Sequence, residues 1–157
     1  MRNLRYKKSL GQVFLIDKNI QKKIISFCNF TIDDYILEIG AGRGELTELI
    51  SNTGAKVFAL EIDEMFCQEL EQKFKNYKNI IVIKKNILDF NIKRYFKNIT
   101  DKKIKVIGNI PYYITSPILF HLINHRDKIE EAFLTVQKEF GKRIISSRDS
   151  KSYGAIS

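Results

Sequence analysis

The fold is decided by the stretch Glu38-Ile39-Gly40-Ala41-Gly42-Arg43-Gly44. It follows an apolar run that begins at Tyr35, and it leads into helix-forming residues. Glycines tolerate positive φ in a tight strand-to-helix turn, and they let a ligand lie against bare backbone. The G-x-G-x-G spacing differs from the dinucleotide G-x-G-x-x-G, so a pyrophosphate is not the first ligand expected. The stretch therefore predicts a strand, a ligand-binding turn and a helix.

Outward from this turn, strand-like and helix-like segments alternate. Strands are predicted at 35–39, 56–61, 80–83, 105–108 and 132–136, and helices at 18–27, 44–51, 64–74, 117–121 and 138–146. Units of this size predict an α/β fold with a parallel sheet flanked by helices. Short β-branched runs without polar alternation predict strands buried on both faces. The 157 residues fit one domain with a sizeable core.

Composition narrows the classes of function. Twenty-seven Lys and Arg against eighteen Asp and Glu leave a net charge of +9, which favours a polyanionic partner, although a solvated basic surface is the alternative. No apolar run is long enough to span a bilayer, and no signal-peptide core follows the basic N-terminus, so a cytoplasmic location is expected. Cys28 and Cys67 predict core residues rather than a disulfide or zinc site. His121 and His125 lack further nearby ligands, so no metal is expected.

Two acids end predicted strands next to the glycine turn. Glu61 follows Gly40 by about twenty residues, the offset at which a carboxylate accepts the ribose hydroxyls of a bound nucleoside. For Glu38 the sequence favours either ordering of the glycine turn through backbone N–H groups or a water-mediated contact with the positive end of a cofactor. An ordinary strand-end acid is the alternative. Turn and acids together predict a nucleoside cofactor.

The segment Asn109-Ile110-Pro111-Tyr112 ends the fourth predicted strand and points to adenine chemistry. The exocyclic amine of adenine is a poor nucleophile, because its lone pair is delocalised into the ring. Carbonyl oxygens of the Asn109 side chain and the Ile110 backbone can accept its two N–H groups and favour a pyramidal nitrogen. Pro111 stiffens the turn, and Tyr112 can stack on the base. The alternative is a strand-ending Asn-x-Pro turn with a core tyrosine.

Taken together, the motifs resemble those of the ribosomal RNA adenine dimethyltransferases (KsgA/Dim type) and the macrolide-resistance rRNA methyltransferases. Similar segments lie at 8–15, 37–44, 61, 109–117, 136–139 and 150–154. The resemblance implies a Rossmann-like class I S-adenosylmethionine-dependent methyltransferase domain over residues 1–157. It also implies N6,N6-dimethylation of adenosines in small-subunit ribosomal RNA during ribosome biogenesis. A monomer that contacts the small ribosomal subunit, and no membrane or metal, is expected.

Site residues follow from the resemblance position by position. It implies that the methionine end of the cofactor lies beside Gln12, Val13 and Leu15, and that the remainder lies along Gly40, Gly42, Glu61, Ile62, Asn86, Ile87 and Asn109. Leu15, Ile62 and Ile87 are core residues in the ordinary interpretation, and Gln12 a polar residue at a helix entry. Val13 stands where the family usually has Asn, and Asn86 where it usually has Asp, so weaker cofactor binding is predicted. Asp89 is the alternative to Asn86 if the register slips.

The family's chains continue beyond position 157 with further strands and a C-terminal helical domain. The resemblance therefore predicts an incomplete domain, a fragment or decayed gene product of a longer enzyme, in which the fifth strand is an exposed, aggregation-prone edge. Three functions stay open: the small-subunit dimethyltransferase, a non-catalytic RNA-binding or ribosome-assembly module, and an adenine-N6 enzyme acting on large-subunit rRNA or DNA. Phosphate contacts are predicted for Lys7, Lys8, Lys138, Lys142 and Arg143, with a solvated basic face as the alternative.

Overall fold

The computed structural model describes residues 17–146, which form five β-strands and six α-helices. The strands are β1 (Tyr35–Ile39), β2 (Lys56–Glu61), β3 (Ile80–Lys84), β4 (Ile104–Asn109) and β5 (Ile129–Thr135). The helices are α1 (Lys18–Cys28), α2 (Glu45–Ser51), α3 (Glu64–Lys73), α4 (Ile92–Lys97), α5 (Thr115–Asn124) and α6 (Lys138–Ile144). Short 3-10 turns cover Ile87–Asp89 and Tyr112–Ile114.

All strand pairs are parallel, in the order β3-β2-β1-β4-β5. Ile39 at the end of β1 lies opposite Leu60 of β2 and Gly108 of β4. The chain segments that follow these three strands therefore emerge at one edge of the sheet, which we call the carboxyl edge. The opposite edge, where the strands begin, is the amino edge. In open parallel sheets, ligands bind at the carboxyl edge where the strand order reverses, here between β1 and β4.

Alternate residues of the central strands pack into different hydrophobic clusters. Leu37 and Phe58 belong to one cluster, and Ile36 and Val57 to another. The interiors of β1, β2 and β4 are buried on both faces, as predicted, whereas the edge strands β3 and β5 are only partly buried. The prediction of strands buried on both faces was therefore wrong for β3 and β5, because each has a neighbouring strand on one side only within residues 17–146.

Three elements differ from the sequence prediction. α4 was missed; its N-cap Asn91 accepts the backbone N–H of Arg94, and Ile92 and Phe96 bury one face. α5 begins at Thr115, two residues before Pro117, because proline is tolerated throughout the first helical turn. β5 begins at Ile129, earlier than the predicted Ala132, because its first residues pair with β4. The sequence prediction missed this part of the strand because it contains Glu130 and Glu131 and shows no apolar pattern. Cys28 and Cys67 are buried, as predicted. No helix within 17–146 is long and apolar enough to cross a membrane.

Candidate cofactor site

The glycine turn between β1 and α2 adopts the left-handed backbone that its sequence predicts. Gly40, Gly42 and Gly44 have φ of 72°, 55° and 76°. The backbone N–H of Gly40 donates to the Leu60 carbonyl oxygen at 2.8 Å, which holds the turn against β2. A Cβ atom built on Gly40 would meet no atom within 4 Å. The Gly40 backbone thus faces open space in a cavity, which is the cradle that a ligand lying on bare backbone requires.

Glu61, the last residue of β2, is buried and holds three backbone N–H groups. Its Oε2 accepts the N–H of Gly42 at 2.9 Å, and its Oε1 accepts those of Ile62 and Asp63 at 2.8 and 3.0 Å. The ordering of the glycine turn, which the sequence assigned to Glu38 as one option, is therefore performed by Glu61.

Glu38 has a different environment. Thr47 of α2 donates its hydroxyl to Oε2 of Glu38 at 2.5 Å, and the Glu38 side chain accepts no backbone N–H within residues 17–146. Burial raises the pKa of Glu38 to about 8, and the nearby carboxylates of Glu61 and Glu45 add to the increase. Glu38 lines the same cavity as Gly40. It is therefore a carboxyl group with a raised pKa beside the ligand cavity, and its water-mediated contact with a cofactor stays a prediction.

One cavity at the carboxyl edge brings the predicted segments together. Of the predicted site residues within 17–146, those that line it are Gly40, Gly42, Glu61, Ile62, Asn86, Ile87, Asn109 and Pro111. They come from the ends of β1, β2, β3 and β4, so they are distant in sequence and adjacent in space. The cavity is also lined by residues that the sequence analysis missed: Gln21 of α1, Tyr113, Ile114 and Ile118. Gln21 lies on the face of α1 that carries Ile24, Ile25 and Cys28, so a polar residue on an apolar helix face was the available signal.

The Asn-Ile-Pro-Tyr segment turns away from the sheet directly after Asn109. The Ile110 backbone N–H donates to the Thr135 carbonyl oxygen at 3.2 Å, and the Ile110 side chain is buried in the core. Asn109 and Pro111 line the cavity. Tyr112 is half exposed and is not among the cavity-lining residues, whereas Tyr113 is. Stacking of Tyr112 on a base stays a prediction, and Tyr113 is a second aromatic candidate.

Asn86, rather than Asp89, reaches the cavity after β3. Its side-chain oxygen accepts the backbone N–H of Leu88 at 3.1 Å and caps the 3-10 turn. Ile87 is buried and Ile62 is about half exposed. Asp89 is exposed and lies outside the cavity lining. Ile62, Asn86 and Ile87 line the same cavity, and their contact with an adenine ring stays a prediction.

Two groups of predicted residues are not among the described residues that line the cavity. Lys7, Lys8, Gln12, Val13 and Leu15 lie outside the described residues. The predicted phosphate contacts within 17–146 are exposed on α6: Lys138, Lys142 and Arg143. They follow β5 at the carboxyl edge.

His121 and His125, four residues apart on α5 and at its end, each contact a backbone carbonyl oxygen. His121 Nε2 lies 3.0 Å from the Phe90 carbonyl oxygen, and His125 Nδ1 lies 2.8 Å from the His121 carbonyl oxygen. Burial, and then the neighbouring His125, lower the pKa of His121. Within residues 17–146, no group of three or more His, Cys, Asp or Glu side chains is arranged to hold a metal ion.

The parallel sheet, the glycine turn and the acid at the end of β2 define the class of this domain, the Rossmann-like S-adenosylmethionine-dependent methyltransferases. A family model described as ribosomal RNA adenine dimethylase matches residues 3–157. The chain belongs to that family.

Individual relatives agree with this assignment. The chain is 42% identical over 147 residues to ribosomal RNA small subunit methyltransferase A of Syntrophus aciditrophicus, covering 94% of this chain and 52% of the relative. A crystal structure of a dimethyladenosine transferase from Plasmodium falciparum aligns at a TM-score of 0.75 and 30% identity, covering 89% of this chain and 49% of that one. The 23S rRNA methyltransferase ErmE aligns at 0.73 and 27%, covering 83% and 50%. The chain therefore spans about half the length of the curated relatives it matches.

Proposed function

We propose that this chain binds S-adenosylmethionine in the cavity at the carboxyl edge and serves transfer of its methyl group to N6 of adenosines in small-subunit ribosomal RNA. The observation that carries the proposal is the convergence on one cavity of Gly40, Glu61 and Asn109, each from the end of a different strand. A curated relative named as a small-subunit rRNA methyltransferase, 42% identical, supports the choice of substrate.

The residues present suit this cofactor. Gly40 offers bare backbone to the cavity, since a Cβ there would occupy open space. Glu61, a carboxylate fixed by three backbone N–H groups, is an acceptor for ribose hydroxyls. Ile62 and Ile87 bring apolar side chains and Asn86 an amide to the cavity lining, which suits the faces and the edge of an adenine ring. Glu38 can take a negative charge opposite a cationic group.

S-adenosylmethionine supplies an electrophilic methyl group on sulfur when bound. The chain's own contribution is to orient and polarise the accepting amine. The Asn109 side-chain oxygen and the Ile110 carbonyl oxygen accept the two N–H groups of the adenine, so that the nitrogen lone pair is directed at the methyl carbon. The bound cofactor would supply the methyl group to this nitrogen with its sulfur as the leaving group, and the proton lost by the amine would pass to solvent. Tyr112 or Tyr113 stacks on the base.

The exposed Lys138, Lys142 and Arg143 lie on α6, at the same edge of the sheet as the cavity, where phosphates of the substrate strand would pass. We propose that the reaction takes place in the cytoplasm, where ribosomal subunits are assembled. We also propose that the protein acts as a monomer.

Replacement of Asn109 by Ala tests the mechanism. With purified chain, tritiated S-adenosylmethionine and small-subunit rRNA, we expect N109A to lower the methyl-transfer rate by roughly 100-fold or more, as loss of one preorganised transition-state contact does. Cofactor affinity measured by calorimetry should change much less. The matched control is N52A, because Asn52 is an exposed helix-end asparagine away from the cavity. Equal transfer rates for N109A and N52A would refute the assigned role of Asn109.

The same assay separates the other candidate functions. Cofactor binding without transfer to any RNA would identify a non-catalytic RNA-binding or assembly module. Transfer to large-subunit rRNA or DNA in preference to small-subunit rRNA would identify the third candidate, which the similarity to the 23S rRNA methyltransferase favours.

A further inference from the structure

Basic residues lie at the beginnings of four of the five strands. β2 begins at Lys56, Lys78 shortly precedes β3, Lys102 and Lys103 directly precede β4, and Arg126 shortly precedes β5. Because all strands are parallel, these residues share the amino edge, opposite the cofactor cavity.

The aspartates of this edge are largely neutralised by lysines. The pairs are Asp33 with Lys102 at 3.6 Å, Asp34 with Lys105 at 3.1 Å, and Asp127 with Lys93 at 2.6 Å. The exposed Asp101 lies on the same edge. Since each pair carries no net charge, the remaining lysines and arginine determine the sign of the potential there.

Three exposed cations remain without a partner acid. Lys78, Lys103 and Arg126 form no ion pair with any of residues 17–146. Lys93, Arg126 and Lys103 all act on one acid, Asp127, and hold the pKa of its carboxyl below the usual range. These charges are therefore close together and exceed what that acid can balance.

The positive surface extends across the sheet. Lys56 and Lys78 line one hollow together with Lys102 and the two paired aspartates Asp33 and Asp34. With neighbouring strands about 4.8 Å apart, four spacings from β3 to β5 give a row of roughly 19 Å. A row of this length exceeds a single phosphate and matches a run of several phosphates. By contrast, the exposed faces of α2 and α3 carry acids that repel a polyanion: Glu45, Glu64, Glu69 and Glu71.

We propose that the amino edge of the sheet, with the cations Lys56, Lys78, Lys103 and Arg126 that are unpaired within residues 17–146, is a second contact surface for the phosphate backbone of RNA. It lies at the opposite end of the strands from the cavity, so it binds a different part of the RNA from the strand that carries the target base. Such contacts position the protein without reading sequence. This inference rests on the proposed function only in naming RNA as the partner.

The test is a charge-reversal variant, K78E/K103E/R126E, of the full chain. Its matched control is K18E/K22E/K23E, which makes the same change in net charge at three exposed lysines of α1. Binding to a small-subunit rRNA transcript is followed by fluorescence anisotropy at several salt concentrations. We expect the amino-edge variant to raise Kd at least tenfold more than the control. The slope of log K against log salt should fall by about 2, since each phosphate contact on a single strand contributes about 0.7.

Equal weakening by the two variants, or an unchanged salt slope, would overturn the second surface while leaving the cavity assignment intact. A different result would also overturn the proposal. If RNA binding depended only on the cavity-side residues, while the amino-edge variant lost binding to polyglutamate, the amino edge would bind an acidic protein rather than RNA. Absence of RNA binding by the unaltered chain would refute both this inference and the RNA part of the proposed function. Cofactor binding measured by calorimetry would then still support the assignment of the cavity. Circular dichroism checks folding, and the neutral K78Q/K103Q/R126Q replaces a variant that does not fold.

Discussion

Glu38 and Glu61 are buried carboxyl groups with different hydrogen-bond partners. Glu61 accepts three backbone N–H groups, and Glu38 has one hydroxyl partner, Thr47. Burial, with a contribution from the nearby carboxylates of Glu61 and Glu45, raises the pKa of Glu38 to about 8, so Glu38 keeps a proton at neutral pH. The sequence indicated that both acids belong to the site, but not which one holds the turn, because that depends on hydrogen-bond partners brought in by β2 and α2.

Stability should depend on pH through Glu38. Its pKa rises from 4.5 in the ordinary state to about 8 on folding, so the folded chain keeps a proton that the unfolded chain releases. The stabilisation from this proton is fully present below pH 4.5 and is lost progressively as pH rises to about 8. Replacement by neutral Gln should flatten this dependence and raise the free energy of unfolding at pH 8 by a few kcal/mol.

Urea unfolding of E38Q and the unaltered chain at pH 5 and pH 8 measures this effect. E69Q, at an exposed position of α3, is the control and should leave the pH dependence unchanged. Parallel pH profiles for E38Q and the unaltered chain would show that Glu38 is ionised in the folded state.

At the scale of the elements, the glycine turn is packed against α3 as well as exposed to the cavity. A Cβ on Gly44 would lie 2.6 Å from Cε2 of Phe74 and 2.7 Å from Cδ2 of Leu70, both core residues. A Cβ on Gly40 would meet nothing. Two glycines of one turn therefore have different reasons to be glycine: Gly44 for the contact between turn and helix, Gly40 for the ligand.

Alanine at each position should separate these reasons. G40A should reduce the stability by about 1 kcal/mol, the cost of a left-handed alanine, and abolish cofactor binding because its methyl group enters the cavity. G44A should reduce the stability by several kcal/mol, since overpacking adds roughly 1–3 kcal/mol to the same strain. Urea unfolding and calorimetric titration measure the two effects. Equal stability losses would contradict the assignment of Gly44 to helix contact.

The elements that sequence predicted well are those buried on both faces. β1 and β2 have the predicted bounds, because apolar runs that end in glycine or acid leave little choice. α4 was missed because six residues with three basic side chains show too little periodicity, and only Ile92 and Phe96 are buried. β5 was predicted to start at Ala132, since Glu130 and Glu131 are exposed on an edge strand and give no apolar pattern.

The site was predictable in its strand-end motifs and less so elsewhere. Gly40, Glu61 and Asn109 follow strands, and the topology of a parallel sheet brings strand ends together without further information. Gln21, Tyr113 and Ile118 reach the cavity from helices and a turn whose orientation depends on tertiary packing. No local pattern reports that orientation.

At the scale of the whole molecule, β5 is the last strand on one side of the sheet within residues 17–146, and α5, which precedes it in the chain, carries exposed apolar groups. Phe120 and Ile123 are 47% and 51% exposed, whereas Ile118 and Leu122 of the same helix pack in the core cluster that Leu134 of β5 contacts. A strand edge next to an exposed apolar face favours self-association.

We expect the double variant F120Q/I123Q to stay monomeric at higher concentration than the unaltered chain, because it removes apolar area beside the open edge without changing net charge. Dynamic light scattering over a concentration series is the measurement. M65Q/Y77Q, on α3 and just after it, removes two partly exposed apolar side chains beside β2 and β3, on the other side of the sheet from β5, and should have a smaller effect. A larger effect from M65Q/Y77Q than from F120Q/I123Q would refute the role of the β5 edge.

The saturation of Glu61 limits how a sugar can be recognised. A carboxylate has about four lone pairs for incoming protons, and Gly42, Ile62 and Asp63 already use three of them. Glu61 therefore has room for one ribose hydroxyl, or for two only if a backbone N–H is released. A deoxy analogue of the cofactor that lacks the one hydroxyl bound by Glu61 would lose nearly all of the binding free energy that Glu61 contributes. An analogue that lacks the other ribose hydroxyl would lose little.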